Sequence, residues 1–332
     1  MLLDIFLLAT GLAMILFGAN WLTDGGSGVA KRFGISELVI GLTIMAFGTS
    51  APELVISVMS AIKGSAGLAI GNVVGSNIFN VLMIIGIVAM VRPIKVEKGI
   101  MTNEIPLVVL ASTALLACAN GHLLDGASVD MVTRVDGILL LLFFAIFMRY
   151  TFSIAKDTTP AQGTAATEEP SQQKGGDGAS TMPVWKACVM IAAGLAGLVW
   201  GGDIFVDSAS SLARRMGVSD AIIGLTIVAA GTSLPELATS VVAAMKGRPG
   251  LAVGNVIGSC LFNIFFVLGV SSTIRPLPFG AIGNVDLLVM TGAALLFWLF
   301  GWVIKHRTIT RIEGGILVAC YIAYTAYLIA NA

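Results

Sequence analysis

The chain has 332 residues, of which 57% are hydrophobic and only 11% charged. A soluble domain needs far more charge to cover a water-facing surface, so this composition excludes one and makes the bilayer the solvent. The 19 basic residues balance the 19 acidic ones, and a net charge of zero argues against a nucleic-acid partner.

Apolar runs of helix-spanning length fall near 2–22, 36–61, 67–90, 104–120 and 133–150, then near 184–205, 219–245, 250–272, 285–304 and 311–330. The first run lacks the basic leader of a cleavable signal, with Lys31 and Arg32 following it instead, so it reads as a retained span with its N-terminus outside. Between the two sets, residues 155–183 are rich in Thr, Ala, Gly, Gln and Glu without apolar periodicity, which predicts a disordered linker. Loops after the odd-numbered spans hold about 14 of the Lys and Arg residues and the other loops about 5, which puts the odd loops and the linker in the cytoplasm and both termini outside. The four cysteines show no metal-ligand spacing and read as small buried hydrophobes, and His122 and His306 sit alone at segment ends.

The strongest signal is an internal repeat. Shifted by about 183 residues, GLTIMAFGTSAPELVISVMSAIKGSAGLAIGNVVGSNIFN from Gly41 aligns without a gap on GLTIVAAGTSLPELATSVVAAMKGRPGLAVGNVIGSCLFN from Gly224. The register extends upstream to pair Lys31 to Gly34 with Arg214 to Gly217, and Asp24 with Asp207. Five spans per copy is an odd number, so the second copy enters the membrane from the opposite side. The expected fold is therefore an all-α membrane protein of ten transmembrane helices in two inverted-topology repeats, 1–154 and 184–332, with ion sites at the repeat interface near the midplane.

Within the repeat, Glu53 and Glu236 fall near the middles of spans 2 and 7, whereas Asp4, Glu104, Asp136, Asp203, Asp207, Asp286 and Glu313 lie in loops or near span ends. A carboxylate at mid-membrane costs several kcal/mol unless it faces the interior with a partner. No Lys or Arg lies at comparable depth, so the countercharge is a bound cation or a proton. Pro52 and Pro235 lack an N–H and clash with the carbonyl one turn earlier, so each helix must kink or unwind and free the carbonyls of Thr49 and Thr232. The spacing of Thr49, Ser50 and Glu53 places them on one helix face. Spans 3 and 8 add Gly-Asn-x-x-Gly-Ser, with Ser76 and Asn80, and Ser259 and Asn263, one turn apart. The glycines suit close helix packing, and the two asparagines suit ion or water coordination. These are all hard oxygen donors, which fits calcium, with sodium able to accept the same ligands; zinc or copper would call for His or Cys.

Gly-Thr-Ser-x-Pro-Glu followed by Gly-Asn-x-x-Gly-Ser, occurring twice, resembles the alpha repeats (here about 41–80 and 224–263) of the sodium/calcium exchanger family, within the calcium/cation antiporter superfamily. The resemblance covers essentially all ten spans. It implies a prokaryotic-type secondary antiporter in a bacterial or archaeal plasma membrane, exchanging sodium for calcium by alternating access. No cofactor and no obligatory protein partner are expected. It also implies that Glu53 and Glu236 ligate calcium, helped by the carbonyls of Thr49 and Thr232. Ser50, Ser233, Ser76 and Ser259, with the carbonyls of Ala46 and Ala229, would then serve flanking sodium sites, and Asn80 and Asn263 would form the central pair. Some exchangers carry an aspartate at the place of Asn263, or at that of Asn80 in potassium-dependent members. Both are amides here, so potassium dependence is not expected, and the short linker gives no reason to expect an acidic calcium-sensing domain. The alternatives are calcium/proton antiport through the same two glutamates and a cation channel with a glutamate constriction. An intramembrane enzyme is disfavoured, since the sequence has no HExxH or GxSxG motif.

Overall fold

The computed structural model describes residues 2–126, 128–157, 182–217, 229–280, 282–303 and 307–331. Most of the expected linker, and the first part of the seventh expected span, lie outside them. The described chain is all-helical apart from four two-residue strands. In chain order the main helices are α1 (Leu2–Phe33), α2 (Glu37–Thr49), α3 (Ala51–Lys63), α4 (Ala66–Val91), α5 (Ile100–Cys118) and α6 (Arg134–Asp157). They are followed by α7 (Val184–Arg215), α8 (Ala229–Gly231), α9 (Leu234–Met245), α10 (Pro249–Ile274), α11 (Asn284–Val303) and α12 (Arg311–Asn331). Eight of these are long and apolar enough to cross a membrane, and the bent pair α2–α3 makes a ninth.

Burial sorts the helices into a core and a shell. In their most apolar windows α10 is 94% buried and α4 78%, whereas α1 and α7 are each 22% and α6 and α12 each 17%. The shell helices turn residues such as Phe6, Phe17, Phe143 and Trp200 outward, which is stable only where the surrounding medium is itself apolar. Where helices cross, glycines bring backbones together. A Cβ on Gly41 would lie 2.8 Å from the Leu251 carbonyl oxygen, and one on Gly254 would lie 2.6 Å from that of Leu38.

Helices α1 and α7 pack along their length in the same way. A Cβ on Gly18 would sit 2.7 Å from the Gly194 carbonyl oxygen, and one on Gly11 would sit 2.8 Å from that of Gly201. Both helices run about ten residues beyond the expected ends at 22 and 205. Apolar run length marks the hydrocarbon stretch only, and the helix continues until a glycine reverses the chain: Gly34 at φ +65° after α1, Gly217 at φ +86° after α7. At 32 residues each is about 48 Å long, more than a bilayer core needs and long enough to span one with tilt.

The connections pair in a regular way. Ile94–Lys95 joins Thr308–Ile309 as an antiparallel ribbon, and Met131–Val132 joins Leu277–Pro278. The first ribbon links the loops after the third and ninth expected spans, and the second links those after the fourth and eighth. Of the cysteines only Cys260 is buried; Cys188 is exposed, contrary to the expectation for a small core residue. His122 is exposed, and His306 lies outside the described residues.

Candidate metal centre

Each proline acts where the sequence places it. Helix α2 ends at Thr49, α3 restarts at Ala51 with Pro52 in its first turn, and the two segments meet at 47°. The first bond of α3 runs from Leu54 N to the Ser50 carbonyl, so the carbonyls of Gly48 and Thr49 belong to a helix end with no intrahelical donor beyond it. The second half breaks alike between α8 and α9, where Leu237 N bonds the Ser233 carbonyl and Pro235 lies in the first turn. The break corrects one expectation. Thr49, Ser50 and Glu53 do not share a continuous helix face, because Thr49 closes one segment, Ser50 sits in the gap and Glu53 opens the next.

The two gaps face each other. Ser50 Oγ donates to Glu236 Oε1 at 2.9 Å, and Ser233 Oγ donates to Glu53 Oε1 at 3.3 Å, so each half of the chain supplies a hydroxyl to the other half's carboxylate. Ser76 Oγ, on α4, reaches Glu53 Oε1 at 3.4 Å, and Ser259 Oγ, on α10, reaches Glu236 Oε1 at 3.4 Å. One oxygen of each carboxylate is thus held by two serines. The other, Oε2, is buried with no hydrogen-bond partner in either residue. The same holds for both amide atoms of Asn80, for Asn263 Oδ1 and for Thr232 Oγ1.

Glu53, Glu236, Ser50, Ser233, Ser259, Asn80 and Asn263 all have zero exposure, so the cluster is closed to solvent in this conformation. Among the described residues neither glutamate forms an ion pair. Nor does any group of three or more His, Cys, Asp or Glu residues converge among them. A cation here would therefore be met by two carboxylates and neutral oxygens. Buried polar atoms are normally satisfied, and a cluster of unsatisfied oxygens beside two carboxylates is a cage with acceptor capacity to spare.

Two further carboxylates are buried, which the sequence did not suggest: Glu104 and Glu313, each 1% exposed. Each likewise has one oxygen held, Glu104 Oε1 by Tyr150 OH at 3.0 Å and Glu313 Oε2 by the Thr310 N–H, and the other buried without a partner. What sets Glu53 and Glu236 apart is that serines from both halves of the chain meet on each of them.

Supports missed in the sequence hold the breaks in place. Asn72 Nδ2 donates to the Glu53 carbonyl at 3.1 Å and to Ser57 Oγ at 2.9 Å; Asn255 Nδ2 donates to the Glu236 carbonyl at 3.4 Å and to Ser240 Oγ at 3.1 Å. The repeat alignment already paired Asn72 with Asn255 and Ser57 with Ser240, which was the available signal. Thr49 Oγ1 lies 3.0 Å from the Met45 carbonyl and 3.2 Å from Asn255 Oδ1. Its hydroxyl is therefore turned into structure. Ala46 opens the last turn before the first break, and Ala229 lies in α8, before the second. Asn80 and Asn263, expected as a central pair, both lie in wide π-type turns, Phe79–Ile84 and Phe262–Leu268, which helical spacing alone does not reveal.

Helix α7 lies across both breaks. A Cβ on Gly48 would meet Leu195 Cδ2 at 2.4 Å, and one on Gly231 would meet Val206 Cγ2 at 2.3 Å, so these glycines seat α7 side chains beside each Thr-Ser gap. On α1, Asp24 pairs with Lys246 at 2.9 Å and Arg248 at 3.2 Å, and Arg248 also reaches Glu37 at 3.9 Å. The repeat counterparts of Asp24 and Lys246, Asp207 and Lys63, are both exposed and form no ion pair with each other.

The sequence profile of the family described as sodium/calcium exchanger protein matches residues 3–153 and 186–330. The chain is 36% identical over 337 residues to the putative antiporter CaxA of Alkalimonas amylolytica, with both chains covered completely. It is 32% identical to the sodium/calcium exchanger MaX1 of Methanosarcina acetivorans, covering 98% of each. Its fold superposes on the sodium-calcium exchanger NCX_Mj, from a crystal soaked with zero Na+ and Ca2+, with a TM-score of 0.80 and 32% identity over 98% of this chain and 99% of that one. On this sequence and structural likeness, the chain belongs to the sodium/calcium exchanger family and is a multi-pass membrane transporter, a cation antiporter and not an enzyme.

Proposed function

We propose that the chain exchanges sodium for calcium, with one calcium ion held between Glu53 and Glu236. The observation that supports this most is the pair of buried carboxylates, each with one oxygen fixed by serines from both halves and the other without a partner. Two negative charges in a medium of low dielectric neutralise one divalent ion. Calcium prefers a flexible cage of six to eight oxygens, which the carbonyls of Thr49 and Thr232 and the amides of Asn80 and Asn263 would help to complete. Sodium would occupy flanking positions made by Ser50, Ser233, Ser76 and Ser259 with the carbonyls of Ala46 and Ala229. Because the carboxylates are shared, occupancy by one ion opposes the other, and an empty doubly anionic site resists crossing a dry barrier.

The reading extends to architecture. Ten spans in two inverted repeats, 1–154 and 184–332, joined by a cytoplasmic linker at 155–183 with both termini outside, account for the reciprocal serine contacts. They also account for the ribbons, since each joins loops expected on one face. Helices α1 and α7, in backbone contact through glycines, would slide as one body over the core. The Asp24 cluster would close the cytoplasmic face, and Asp207 with Lys63 would close the opposite one in the alternate state. Sodium would enter down its gradient as calcium leaves.

The test is calcium uptake into proteoliposomes with sodium, potassium and pH gradients imposed separately. Uptake driven by outward sodium at clamped pH is expected. Uptake driven only by a pH gradient would replace sodium with protons, and flux indifferent to any counter-ion gradient would indicate a channel.

A further inference from the structure

The repeat pairs Asn80 with Asn263, but the structure treats the two amides differently. Both atoms of the Asn80 amide are buried without a partner, whereas Asn263 Nδ2 donates to Asn77 Oδ1 at 3.3 Å. Asn77 in turn donates its Nδ2 to the backbone carbonyl of Cys260 at 3.3 Å, and it is 2% exposed on α4. The break in symmetry is in the sequence as well, because the repeat counterpart of Asn77 is Cys260.

An amide's oxygen and nitrogen are interchangeable in shape, so one orientation must be fixed by something that cannot turn over. The Cys260 carbonyl is such an anchor, since it only accepts. Facing it, Asn77 must present Nδ2, which leaves Oδ1 toward Asn263. Asn263 must then present its own Nδ2 to Asn77, which leaves its Oδ1 as the group turned away. That oxygen is buried and unpartnered. Four residues earlier on α10, Ser259 holds Glu236 with its hydroxyl, and Asn263 lies in the π-type turn that follows directly.

We infer that Asn77 is a positioning residue: anchored on the Cys260 carbonyl, it locks the Asn263 amide with its oxygen toward the cation. The inference rests on the proposed calcium site. It answers what a neutral amide can do where other exchangers place an acid, for a fixed oxygen dipole supplies a ligand with no proton to shed. Asn80 has no comparable amide partner anchored on a backbone carbonyl. Partners that orient a ligand in this way typically contribute tenfold or more to metal affinity.

The experiment measures calcium affinity of the purified full chain in detergent, by calorimetry, alongside the KM and maximal rate of sodium-driven calcium uptake. Asn77→Leu keeps the shape and removes both hydrogen bonds, and Asn77→Ser is a second variant should the first fold poorly. Each is expected to weaken calcium binding roughly tenfold and to raise KM in step, with the maximal rate little changed. In an Asn263→Ala background the same substitutions are expected to add nothing, because Asn77 acts only through that amide. Unchanged affinity in the single variants, or an equal further loss on top of Asn263→Ala, overturns the inference. Glu53→Gln run alongside separates the two levels: if it abolishes calcium binding while Asn77→Leu leaves it intact, the site stands and the positioning role falls. Normal calcium binding by Glu53→Gln removes both.

Discussion

Substituting Gly18 by alanine tests the contact between α1 and α7 at its tightest point. The added Cβ would lie 2.7 Å from the Gly194 carbonyl oxygen, 2.8 Å from Leu198 N and 3.1 Å from the Gly197 carbonyl carbon, all of them backbone atoms that no rotamer change can move. Ordinary contacts begin near 3.4 Å, so the helices must part by roughly 0.7 Å, which forfeits a quarter to a half of the dispersion energy of each contact they share locally. Overpacking of this kind costs about 1–3 kcal/mol, and here it is set against a gain of at most about 1 kcal/mol in helix propensity. The expected result is a net loss of up to about 2 kcal/mol in reversible unfolding by SDS in mixed micelles, and of about 1–3 kcal/mol relative to an alanine that meets no contact. Gly202→Ala, on α7 with no atom within 4 Å of its added Cβ, is the control and should be neutral or slightly stabilising. Gly194→Ala meets Leu22 N at 2.7 Å and the Gly18 carbonyl at 2.8 Å, so it strains the same interface. Combined with Gly18→Ala it should cost clearly less than the two losses added, since helices already parted need not part again. A Gly18→Ala variant as stable as Gly202→Ala, or full additivity, refutes this account of the pair as one closely packed body.

Asp24→Asn removes ion pairs to Lys246 and Arg248 whose side chains are about a quarter exposed, with Asp24 itself at 37%. Solvent screening limits the pairs to about 1 kcal/mol together, a shift of about fivefold in the opening of that face. Amide exchange along α9 should quicken accordingly, and exchange at the wild-type rate would show that the pairs do not hold the face shut. Asn72→Leu leaves the Glu53 carbonyl and Ser57 without their shared donor, so thermal stability in detergent should fall by about 1–3 kcal/mol and calcium affinity should weaken with it; unchanged values for both would exclude the support role. Ser50→Ala removes the hydroxyl 2.9 Å from Glu236 and is expected to raise the KM for sodium more than that for calcium in flux assays. Equal effects on both would contradict a flanking sodium position.

Much of this arrangement is legible in the sequence because membrane physics restricts it so strongly. A carboxylate in an apolar run can only face inward, a proline one residue before it can only break the helix, and a second copy of both lets each half interpret the other. What escaped had no such constraint. The reciprocal bonds of Ser50 and Ser233 depend on how the two gaps meet, which spacing along one helix cannot give. The π-type turns at Asn80 and Asn263 change which residues share a face without leaving a compositional mark. Asn77 was invisible for a different reason: a search by symmetry keeps paired positions, and its partner position is a cysteine acting through its backbone. The ends of α1 and α7 were set by glycines at positive φ and not by where hydrophobicity stops.

The most direct measurement is calcium binding to the purified protein, by calorimetry at low sodium, in wild type, Glu53→Gln and Glu236→Gln. Each substitution keeps the shape and the acceptor for its serine while deleting one of the two charges. The account predicts one calcium per chain in wild type, displaced by added sodium, and no measurable binding in either variant, with stability in detergent unchanged or raised because a buried charge has gone. Wild-type calcium affinity in either variant would contradict it.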